Sequence, residues 1–72
     1  MDVIVRCTLR DQRIAKGLSL RQLEAMSGIN RSMISRYETD EHLMPIDRAA
    51  LFALLLGCTL DDLYTYEVAG EA

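Results

Sequence analysis

The sequence predicts an all-α fold of five short helices, with a short two-stranded β pairing of its ends. Three observations lead there. Glycine and proline are scarce, at four and one in 72 residues, so few breaks interrupt helical segments. Between recognisable start and stop signals, apolar residues recur every three or four positions. The two ends instead carry β-branched and aromatic residues with a weak alternation. The length suits one domain, taken as residues 1–72, with a modest core.

The first helix is expected from Arg6 to Lys16, with Val5, Leu9 and Ile14 on its inner face and Gly17 as a left-handed cap. Ser19 stands at an N-cap with Gln22 three residues on, the spacing of a capping box. A second helix then runs from Leu20 to Met26, with Leu20, Leu23 and Met26 turned inward, and Gly28 stops it. Asn30 is the next N-cap, followed by a third helix from Arg31 to Glu38 that buries Ile34 and Tyr37. After a polar loop closed by Pro45, a fourth helix begins near Asp47 and runs to Leu56, apolar nearly all round and therefore central. Gly57 ends it. Thr59 caps a fifth helix from Leu60 to Leu63 or Tyr64, with Asp61 and Asp62 where acids suit the helix dipole. Asp2–Arg6 and Tyr64–Val68 are the two strands, and a ribbon of two strands needs something to pack on.

Half the residues are apolar and about a quarter charged, as in ordinary globular proteins. No apolar run approaches the roughly 18 to 20 residues that span a bilayer, and Val3-Ile4-Val5 is too short for a signal core. A cytoplasmic location is expected. Cys7 and Cys58 lack the close pairing of a zinc site and read as small apolar residues, with a disulfide as the weaker alternative. One histidine, no phosphate loop and no nucleophile–base spacing argue against an enzyme, and no cofactor, metal or small-molecule ligand is implied.

The net charge of −3 conceals a division. Residues 6–36 hold seven cations against two acids, a balance of +5, whereas residues 37–72 hold one cation against eight acids, a balance of −7. Such asymmetry points to a phosphate-facing surface in the first half.

Two short helices joined by a tight glycine turn form a helix-turn-helix unit, here Ser19 to Glu38. Leu23 fills the space between its helices, Gly28 permits the turn, and Ile29 and Ile34 anchor the second helix. Arg31, Ser32, Met33, Ser35 and Arg36 are left facing outward. With Gly17-Leu-Ser19, Ser35-Arg-Tyr-Glu38 and Leu56-Gly-Cys-Thr-Leu-Asp-Asp-Leu63, the stretch from about Leu9 to Leu63 resembles the Xre family, the Cro and phage-repressor type of helix-turn-helix domain.

That resemblance implies a sequence-specific DNA-binding transcriptional regulator, in the repressor mould, with its third helix in the major groove. It implies base contacts from Arg31, Ser32, Met33 and Arg36, with arginine reading guanine and Met33 lying against a thymine methyl. Phosphate contacts would come from the N-terminus of the second helix with Ser19, Leu20, Arg21 and Asn30, and Ser35 of the third helix would bond a phosphate or a base. Arg13 and Glu38 occupy positions where the family commonly has an internal ion pair. One recognition helix reads few base pairs, so a homodimer on a palindromic site is expected. Leu60, Leu63, Tyr64, Tyr66 and Val68, with Val3 and Val5, are the candidate dimer contacts; the alternative is a local cap on the core. Three positions depart from the family's habit: Leu20 replaces a glutamine, Glu24 replaces a small residue, and the loop Asp40-Glu41-His42 is acidic. The second reading is therefore a protein-interaction module, of antitoxin or adaptor type, that uses the acidic half.

Overall fold

The computed structural model describes residues 1–70; Glu71 and the end of the expected 1–72 domain lie outside the described residues. In chain order it runs β1 (Asp2–Cys7), α1 (Leu9–Ala15), α2 (Leu20–Ser27), α3 (Arg31–Glu38), α4 (Ile46–Leu56), a 3₁₀ turn (Asp61–Leu63) and β2 (Tyr64–Ala69).

Four α-helices form, not the five expected. The fifth is the single 3₁₀ turn. Its entry is closed reciprocally, with the Thr59 N–H donating to Asp62 Oδ2 at 3.0 Å and the Asp62 N–H donating to Thr59 Oγ1 at 3.3 Å. Tyr64 is already extended, at φ −142° and ψ 148°, because it opens β2. No second helical turn can follow. The first helix is likewise shorter than expected. Arg6 and Cys7 belong to β1, where they face Thr65 and Tyr64 across the ladder, and long-range pairing prevails over local helical preference. The fourth helix starts at Ile46 with Pro45 as its cap residue, and Asp47 sits in the first turn without capping it.

The helices enclose one core in which Leu9, Leu23, Ile34, Phe52 and Leu63 are fully buried, joined by Ile29, Tyr37, Met44, Ala49, Ala53 and Leu56. Three expected inner residues lie outside it: Val5, Ile14 and Met26 are exposed. The seven-residue α1 turns one narrow edge inward, carrying Leu9 and Arg13 at i and i+4, and Ile14 lies about 100° further round. Nor is α4 buried all round. Ala49, Phe52, Ala53 and Leu56 face the core, while Ile46, Ala50 and Leu54 form an exposed stripe.

β1 and β2 pair antiparallel as expected, Asp2 opposite Ala69 through Cys7 opposite Tyr64. Only the root of this ribbon touches the helices, through Cys7 and Tyr64. The Thr8 N–H donates to the Leu63 carbonyl at 2.7 Å and the Cys7 N–H to Asp40 Oδ1 at 3.0 Å. Further out, Val3, Val5, Tyr66 and Val68 are 53%, 50%, 77% and 53% exposed on one face. The radius of gyration is 12.7 Å and the long axis 45 Å. A compact chain of this length would have a radius near 11 Å. The projecting ribbon accounts for the excess.

Candidate nucleic-acid interface

α2 and α3 are set by their ends. Ser19 and Gln22 form the expected capping box: the Gln22 N–H donates to Ser19 Oγ at 3.1 Å and the Ser19 N–H to Gln22 Oε1 at 2.7 Å. Gly28 ends α2 in the left-handed region, at φ 74°. Asn30 Oδ1 then accepts the Ser32 N–H at 2.7 Å and starts α3. Leu23 and Ile29 are buried between the two helices.

α3 is anchored along its inner side. Ile34 and Tyr37 are buried. The Tyr37 hydroxyl accepts a hydrogen bond from Arg48 Nη1 at 2.7 Å, a partner on α4 that the sequence reading missed. A buried tyrosine hydroxyl needs such a donor, which is the signal that could have found it. Arg48 is thereby tied to the core edge.

Arg13 and Glu38 do form an ion pair. Arg13 Nε lies 2.8 Å from Glu38 Oε2 and Nη2 lies 3.1 Å from Oε1, a bidentate contact, while Nη1 donates to the Leu18 carbonyl at 2.9 Å. The hydrogen bonding to Glu38 raises the Arg13 pKa above its ordinary value, against the opposing effect of burial. The pair joins α1 to the last residue of α3 and fixes where that helix points.

Opposite this anchored side, Arg31, Ser32 and Arg36 are exposed, and so are Ser19, Arg21 and Asn30. Ser35 is half-buried. Met33 and Leu20 are partly buried against the core, so only part of each side chain is open to a ligand. Among the described residues the sole ion pair is Arg13–Glu38, so the side chains of Arg21, Arg31 and Arg36 form no ion pair with a described acid. Glu24 resolves its unusual placement differently from an ion pair. Its Oε2 accepts the Arg31 N–H at 3.0 Å, so the carboxylate sits at the positive end of α3.

The acidic loop follows the other end of α3. The Glu41 and His42 N–H groups both donate to the Arg36 carbonyl, at 2.9 and 3.2 Å. Asp40 is left-handed at φ 61°, and its carboxylate is engaged by the Cys7 N–H. An eight-residue helix is about 12 Å long, so the Arg31 end of α3 stands clear of this loop by most of that length.

The expected dimer contacts divide. Tyr66 and Val68 are exposed, Tyr64 is half-buried at the ribbon root, and Leu60 is 38% exposed. Leu63 is fully buried and belongs to the core, which corrects its assignment to a contact surface: it is the last residue of the 3₁₀ turn, which packs against α1 and α4. Cys7 and Cys58 are free thiols, both half-buried, and burial pushes both thiol pKa values up.

A buried α2–α3 joint, with an outward arginine-bearing helix tied at both ends, is the architecture of a helix-turn-helix DNA-binding domain. The helix-turn-helix family model matches residues 9–63, most of the chain. The chain belongs to this family, the Cro and phage-repressor type, and is a DNA-binding regulator of the helix-turn-helix kind. No curated protein is similar enough to count as a relative. Among the described residues no helix is long and apolar enough to cross a membrane, and no cluster of His, Cys, Asp or Glu could hold a metal ion.

Proposed function

We propose that the chain is a sequence-specific repressor that lays α3 in the major groove and acts as a homodimer on a palindromic site. The observation that carries this reading is the two-sidedness of α3. Ile34, Tyr37 and Glu38 are held from within, while Arg31, Ser32 and Arg36 face outward without an acidic partner. A pre-positioned helix whose exposed arginines form no ion pair among the described residues suits the edge of guanine, which presents two acceptors in the major groove. Ser19, Arg21, Asn30 and the first backbone N–H groups of α2, including that of Leu20, supply phosphate contacts. Ser35 adds a hydroxyl, and the open part of Met33 supplies apolar contact with a thymine methyl.

Repression requires only that a site be occupied and other proteins excluded; activation requires a further contact. One small module buries too little surface for tight specific binding, which favours two copies on a symmetric site. Selection of genomic fragments by the purified protein, followed by sequencing, tests the reading. A palindromic motif with guanines at matching positions of each half is the expected result. Fragments bound without sequence preference would overturn it, and an absence of DNA binding would favour the adaptor reading that uses the acidic half.

A further inference from the structure

We propose that a second copy of this chain pairs along the open edge of β1, antiparallel and centred on Ile4, to give a four-stranded sheet in the order β2–β1–β1–β2. The inference rests on the homodimer reading above and says where that dimer is joined.

The ribbon is a two-stranded sheet, so the outer edge of each strand lacks a sheet partner. Edges that stay single are usually blunted by lysine, proline or a bulge. β1 has none of these; it reads Asp-Val-Ile-Val-Arg-Cys and is exposed along nearly its whole length, and Asp40 takes the Cys7 N–H only at its root, outside the five residues from Asp2 to Arg6. Its first five residues are also self-complementary. With Ile4 on the two-fold axis, Asp2 falls opposite the partner's Arg6, Val3 opposite the partner's Val5, and Ile4 opposite the partner's Ile4. Opposite charges directly across an antiparallel pair stabilise it, and like charges oppose it. Neither charge has an opposite charge directly across the ladder within its own protomer; Glu67 is the diagonal neighbour of Arg6 on the same face but forms no ion pair with it. Within the protomer Asp2 faces Ala69 and Arg6 faces Thr65, and neither is in an ion pair among the described residues.

β2 does not match itself in this way. Its one charge is Glu67. A β2–β2 pairing centred on Tyr66 sets Glu67 against the partner's Thr65, and one centred on Glu67 sets acid against acid. The β1 pairing also extends the apolar face. Val68, Val3, the partner's Val5 and the partner's Tyr66 form one row, and the same row recurs on the other side of the axis. Stacking two ribbons face to face would bury the same residues, but it brings no opposite charges together and leaves every edge open.

Sedimentation equilibrium at low salt tests the register, on the wild type, D2R, R6D and the double swap D2R/R6D. Each single swap places two like-charge pairs across the axis. Each is expected to raise the dimer dissociation constant about tenfold or more, and the double swap to return it to within about threefold. Mixing D2R with R6D is expected to give a heterodimer tighter than either homodimer, since every cross-axis pair is then opposite in charge. Circular dichroism checks that the variants stay folded; both positions are exposed. L54E, on the exposed α4 stripe, is expected to leave the dimer unchanged. A wild-type dimer indifferent to the charge swaps, or dissolved by L54E, would overturn the β1 pairing and leave the homodimer standing. A wild type that is monomeric both free and on a palindromic site would remove the homodimer itself.

Discussion

Arg13 is nearly buried and gives hydrogen bonds to both Glu38 oxygens and to the Leu18 carbonyl. Removing either member of the pair strands the other in the interior. Arg13→Met or Glu38→Leu is therefore expected to cost about 3 to 5 kcal/mol in urea unfolding, a large share of a small domain's stability, and the double replacement less than the sum of the two. The exposed arginines behave otherwise. Arg21→Ala is expected to weaken DNA binding about equally on all sequences and to lower the salt slope by about one unit. Arg31→Ala or Arg36→Ala is expected to cost about 1 to 3 kcal/mol at one preferred base. Binding titrations at several salt concentrations separate these outcomes, and unchanged affinity in all three variants would refute the recognition-helix assignment. Cys7 sets an alkaline limit. Burial raises its thiol pKa above the ordinary 9.0, so the folded state favours the neutral thiol. That contribution is complete below pH 9.0 and is lost as pH rises through the folded value. The unfolding midpoint should fall above that pH, and Cys7→Ser should flatten the fall; the same thiol should alkylate more slowly at neutral pH than in the unfolded chain.

At the scale of elements, the α2–α3 joint depends on one backbone conformation and one borrowed carboxylate. Gly28 is left-handed with open space where a Cβ would stand, so a side chain there meets backbone strain and no clash. Gly28→Ala is expected to cost about 1 to 2 kcal/mol and Gly28→Asn less, by urea unfolding. Glu24 holds the first N–H of α3. Glu24→Ala is expected to lower stability slightly while tightening DNA binding, because it removes a negative charge beside the phosphate-facing surface; weaker binding would show that Glu24 positions the helix. Most of this joint was legible in the sequence, because capping boxes, Asn caps and glycine stops act within a few residues. What distant residues decide was not. Arg6 fits a helical start as well as a strand until Thr65 is placed beside it. Leu63 shares the apolar character of Tyr66 and Val68, and only its place in the 3₁₀ turn, one residue before β2 begins, makes it a core residue and not part of the exposed ribbon. The Glu24–Arg31 and Arg48–Tyr37 contacts join residues on different helices; a buried tyrosine announces that its hydroxyl needs a partner, but no local pattern says which residue supplies it.

The whole molecule carries a net charge of −3, and on the proposed reading the face that carries Arg21, Arg31 and Arg36 is the one turned to DNA. Arg13 and Glu38 cancel, Glu24 and Asp40 are engaged by backbone N–H groups, and among the described residues the side chains of Arg21, Arg31 and Arg36 are in no ion pair. Overall repulsion and local attraction are together expected to make binding sensitive to salt and to favour a partner that doubles the contacts. Two copies joined through a hydrogen-bonded sheet would hold their α3 helices at a fixed separation and rotation. Such a dimer is expected to read half-sites about one helical turn, roughly 34 Å or 10 base pairs, apart on one side of the duplex. Inserting about five base pairs between the half-sites turns the second one roughly half a turn round the DNA. One α3 then faces away from its groove, and affinity is expected to fall at least about a hundredfold, toward non-specific binding. A gel-shift series with inserts of increasing length on one palindrome measures this. Affinity independent of the insert would mean that the protomers bind separately and that the ribbon does not couple them.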